Sequence, residues 1–148
     1  MSEQKKYEFT GKIKTIFGIE FKQIRAIISF GCVVAGEIGG WIECEENLSQ
    51  SGDAWVYGNA RVSGDAWVYG DAEVKKDDDY MVVGGAGRYN RFTTFFKCRD
   101  KTIKVICGCF FGTIIEFRAK VKETHKGNKH EKVYLAMADM VELQLDDK

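Results

Sequence analysis

Apolar positions recur every six residues between Gly52 and Val74. Ala54, Ala60, Ala66 and Ala72 each stand two positions before Val56, Val62, Val68 and Val74, and a Gly-Asp or Gly-Asn pair precedes each alanine. In an extended chain, residues two apart share a side. Each Ala-x-Val therefore offers one small and one branched group to an interior. The Gly-[Asp/Asn] pair tolerates left-handed and turn conformations, so it marks a corner. Short strands and corners at an unbroken period predict a repeat architecture. The expected form is a short left-handed parallel β-helix, in which three hexads close a coil of about 18 residues. Four hexads make little more than one coil, too few to bury their faces alone. Phe30 to Ile42, with glycines at similar intervals, is read as a degenerate first coil, and Glu43 to Ser51 as a polar excursion.

The pattern changes on both sides of the hexads. Tyr7 to Ile28 mixes β-branched and aromatic residues with Gly11 and Gly18, which predicts a strand pair capping the coil. Lys75 to Asp79 is a charged boundary. Tyr80 to Val83, Phe92 to Lys97 and Thr102 to Cys107 read as strands. Thr113 and Glu116 have the spacing of a capping box, followed by Ile114, Phe117 and Val121 on one helical face. That helix should stop near Gly127-Asn128. A second, from Lys129 to Leu143, is expected to turn Val133, Met137, Met140 and Val141 inward. The chain thus reads as mainly β with an α+β end: 1–29 capping strands, 30–76 hexapeptide-repeat β-helix, 77–148 a small β-β-β-α-α domain.

Composition narrows the function. The chain has 148 residues, with 22 Lys+Arg against 22 Asp+Glu. Zero net charge argues against wholesale binding of nucleic acid, which depends on neutralising phosphates. There is no signal peptide and no apolar run of membrane length. Five cysteines and no sign of secretion point to reduced thiols in a cytosol.

Candidate chemistry is sparse. Cys98, Cys107 and Cys109 with His125 or His130 would be a thiol-rich zinc set, but C-x-C is not the usual C-x-x-C spacing, and free cysteines are commonly buried. No metal and no cofactor are expected. The two histidines, His125 and His130, both follow the hexads, so a histidine base on a coil, as acyltransferases with such coils use, is absent. The chain is expected not to be an enzyme. Gly85 to Thr94 is glycine-rich and then offers Arg88, Tyr89, Asn90, Arg91, Thr93 and Thr94. Arginine forks suit phosphates, and the helix start at Thr113 has backbone N–H groups that favour an anion. These seven residues form the candidate ligand site; the alternative is a solvated loop with strand and capping threonines. Trp55, Tyr57, Trp67 and Tyr69 are the candidate oligomer surface.

Ile24-Arg25-Ala26, Phe30-Gly31, Gly39-Gly40-Trp41-Ile42-Glu43, Glu46-Asn47-Leu48-Ser49, the Tyr-Gly-Asn-Ala-Arg-Val hexads, Thr93-Thr94-Phe95-Phe96 and Cys107-Gly108-Cys109-Phe110 together resemble a widespread group of phage and prophage proteins. The resemblance covers nearly the whole chain and departs at Arg91, where an acidic residue is usual. It implies a viral origin, a place in the cytoplasm of an infected bacterium and a repeat-plus-cap architecture, and it supplies no activity. By analogy with small phage proteins that sequester cyclic-nucleotide immune signals, the chain is expected to bind a small phosphorylated ligand, such as a cyclic nucleotide or an ADP-ribose derivative, as a homo-oligomer. The competing expectation is an oligomeric structural or protein-interaction module that blocks a host protein.

Overall fold

The longest alternating stretch near the N-terminus builds a hairpin. In the computed structural model, which describes residues 5–77, 79–86, 91–107 and 110–145, β1 (Tyr7–Ile16) and β2 (Ile19–Ala26) pair antiparallel from Tyr7↔Ala26 to Ile16↔Ile19. Phe17 and Gly18 form the turn, with φ of 51° and 79°; two left-handed residues match the twist of the flanking strands. β3 (Ile38–Ile42) follows, then three two-residue strands from the hexads: β4 (Trp55–Val56), β5 (Arg61–Val62) and β6 (Glu73–Val74).

These strands do not form the expected left-handed parallel β-helix. β3 adds antiparallel to β2, and β5 adds parallel to β3, giving a mixed four-stranded sheet in the order β1-β2-β3-β5. β4 and β6 pair only with each other, in parallel. The third hexad contributes a single bridge, Leu48↔Val68. Only two residues of a hexad are free to extend between one glycine corner and the next. The ten-residue and eight-residue strands of the hairpin therefore set the sheet, and the repeats join it in pieces. The described residues make a β-rich α+β fold.

The sidedness of the hexads does follow their period. All four alanines and all four valines are buried, and Gly52, Gly58, Gly64 and Gly70 each have positive φ, the left-handed corner that glycine takes without a Cβ penalty. Trp55 is a correction: it is 0% exposed, not part of an outer surface. Its ring meets Tyr7 and Phe30 edge-on at 6.2 and 5.3 Å. The segments outside the repeat cover its position and turn it into core.

Lys6 ties the hairpin to this core. Its ammonium donates to the carbonyl oxygens of Ala54, Gly52 and Ser51 at 2.7, 3.2 and 3.4 Å and lies 4.6 Å over the Phe30 ring. Burial lowers its pKa to about 8, against the opposing pull of Asp53. The folded chain thus releases this proton before the unfolded chain does. From about pH 8 to the ordinary value of 10.5 the unfolded state binds more protons, so this group makes stability rise with pH. The expected gain is at most roughly 3 kcal/mol. Thermal melts from pH 7.5 to 10.5 check it: the Tm of wild type minus that of Lys6→Met should increase as pH rises through that window. A constant difference would contradict the shift.

The chain divides into two compact units, Met1–Asp77 and Asp78–Lys148. In the second, β7 (Tyr80–Ala86), β8 (Arg91–Lys97), β9 (Ile103–Cys107) and β10 (Phe110–Thr113) form an antiparallel sheet in the order β10-β9-β8-β7. α1 (Ile114–Thr124) and α2 (Lys129–Leu145) pack on it. Thr113 caps α1 as expected. On α2 the inward stripe is Tyr134, Met137, Ala138, Val141 and Leu145, whereas Val133 and Met140 are exposed. Tyr134 wins the inward place because its ring packs edge-on against Phe117 at 5.7 Å.

Candidate functional site

The expected phosphate site does not assemble from the residues that can be placed. Arg88, Tyr89 and Asn90 lie outside the described residues. Arg91 opens β8, its backbone paired with Ala86. Thr93 is 0% exposed and its hydroxyl donates to the Cys107 thiol at 3.2 Å; Thr94 is buried beside it. Both side chains are buried, on opposite faces of the strand, and neither is open to a solvent-borne phosphate. At the start of α1 the anion position is already taken. The Thr113 side chain accepts from the Glu116 backbone N–H at 3.2 Å, and Glu116 Oε1 accepts from the Thr113 N–H at 2.9 Å. Those hydrogen bonds from Thr113 hold the Glu116 carboxyl below the usual carboxylate range. A carboxylate at that helix start repels a second anion.

A different site emerges in the first unit. The polar stretch after β3 forms a short 3₁₀ turn, Glu45–Asn47. Asn47 is buried and fixes the turn against the third hexad. Its Oδ1 accepts from the Cys44 N–H at 3.0 Å, and its Nδ2 donates to the carbonyls of Ala66 and Gly64 at 2.9 and 3.1 Å. Between this turn and Gly64–Trp67 runs a groove of about 710 Å³, lined by Leu48, Glu45, Glu46, Asp65 and Trp67 among others. Clefts of about 300–1,000 Å³ are the size that takes ligands or inserted side chains. A smaller hollow of about 470 Å³ shares Cys44, Gly64 and Asp65 and reaches Glu20, Lys22 and Glu43 at the base of the hairpin.

The electrostatics of the groove are one-sided. Among the described residues three carboxylates line it and no cation does. Glu45 is answered from outside by Lys5, 2.9 Å away, whose hydrogen bond lowers the Glu45 pKa. Burial and the neighbouring Glu46 push the Cys44 thiol up, so it is not a thiolate nucleophile at neutral pH. Trp67 forms the aromatic wall, 42% exposed, with Tyr69 edge-on at 5.0 Å. Of the four aromatics expected at an oligomer surface, Trp67 is exposed, Tyr57 and Tyr69 are half-buried, and Trp55 is core.

The tip of the β1–β2 hairpin is the second feature that the sequence reading missed. The β2–β3 ladder ends at Lys22↔Ile42. The outer pairs Thr15↔Glu20 and Ile16↔Ile19 therefore project without a third strand, whereas Phe21 is buried and the Lys14 ammonium lies 4.2 Å over the Trp41 ring. Phe17 is 100% exposed and Ile13 55%. The available signal was an aromatic residue immediately before glycine between two alternating runs, where a two-residue turn normally carries Asn or Asp.

Among the described residues no cluster of histidine, cysteine and carboxylate groups is arranged to hold a metal, and no helix is long and apolar enough to cross a membrane. No family model matches the chain. Over 51 residues it is 41% identical to an uncharacterized acetyltransferase, YdcK, of Escherichia coli; the match covers 34% of this chain and 15% of that protein.

Proposed function

We propose that this chain is a non-enzymatic protein-interaction module whose contact element is the β1–β2 hairpin. Phe17 carries the reading. A bulky residue at positive φ is strained, and a ring left wholly in water forgoes about 1.5–3 kcal/mol of burial. Asparagine at this turn would relieve both. Strain and exposure together are accounted for when the ring is buried in a partner. Ile13, 55% exposed on the same hairpin, adds apolar area beside it.

The test is site-specific photo-crosslinking in the producing cell, with a benzophenone side chain at position 17 and, as control, at the exposed position Ile115 of the second unit. Covalent adducts are expected at 17 and not at 115. An absence of adducts at 17 would overturn the reading. Sequestration of a small phosphorylated ligand draws no support from Thr93, Thr94 or Thr113. Acyl transfer has one observation in its favour, the name of the E. coli relative. Against it, His125 and His130 stand beside each other at the α1–α2 turn, ring centroids 5.5 Å apart, with His125 stacked on Tyr134. Release of free thiol from acetyl-coenzyme A in the presence of amine acceptors would favour that second reading.

A further inference from the structure

We draw no further inference here: the strongest candidate, the acidic groove between the Glu45–Asn47 turn and Gly64–Trp67, carries nothing, because nothing in the structure shows what fills it.

Discussion

Val62→Asp should abolish the folded state of the first unit. Val62 is fully buried and sits in β5, paired with Ile42 of β3. An unpaired carboxylate there either pays a desolvation cost of several kcal/mol or stays protonated at a strongly raised pKa. Small domains are stable by only about 5–15 kcal/mol, so the substitution consumes most of that margin. Trp55, buried in the same unit, is the reporter: its emission should shift to the red and the cooperative melt of the unit should vanish. Asn59→Asp, at an exposed position where the other hexads already carry Asp53, Asp65 and Asp71, should change stability by less than about 0.5 kcal/mol. Wild-type melting of Val62→Asp would mean that the valine stripe does not form the core.

Gly40→Ala should cost about 3 kcal/mol or more, at the upper end of what overpacking does. A Cβ on Gly40 would stand 2.6 Å from Val56 Cγ1, 2.8 Å from the Ala60 carbonyl oxygen and 3.1 Å from that of Tyr57. Two of these neighbours are backbone. The Ala60 oxygen accepts from the Trp41 N–H at 3.0 Å, so it cannot retreat without loosening the β3–β5 pairing. Gly39 is similarly confined, with Trp55 Cζ2 at 2.5 Å from its virtual Cβ. The Gly39-Gly40 pair is thus where a strand passes so close to the hexads that no side chain fits. Gly58→Ala is the comparison. Its φ is 54° but its Cβ would meet open space, so it should cost only the left-handed strain of about 1–2 kcal/mol. Denaturant midpoints should rank Gly40→Ala well below Gly58→Ala; the reverse order would contradict the packing.

What could be read from the residues alone was local. A six-residue period names the inward alanines and valines because it depends only on strand alternation. The capping box at Thr113 and the stripe Ile114, Phe117, Val121 were legible for the same reason. Pairing was not. Whether β5 joins β3 or stacks in a coil depends on competition with the hairpin, and that competition is a tertiary matter. Trp55 looked like an outer residue because the repeat says nothing about the hairpin and the Phe30 segment that cover it. Tyr134 was passed over for Val133 because tyrosine carries no apolar signal of its own, although its ring fills the space beside Phe117. The groove was invisible as a pattern: Asn47 creates it through three hydrogen bonds to residues close in sequence and seventeen to nineteen positions away. The anion reading of Thr93, Thr94 and Thr113 used the right residue types without the burial of the first two, and the capping box legible at Thr113 already placed the Glu116 carboxylate where an anion would sit.

The most direct measurement of the central claim is the crosslinking yield in the producing cell with the benzophenone at position 17 as against position 115. Contact through the hairpin predicts protein adducts at 17 that Ile13→Ser weakens, and none at 115. Equal yields at both positions, or none at 17, would contradict it.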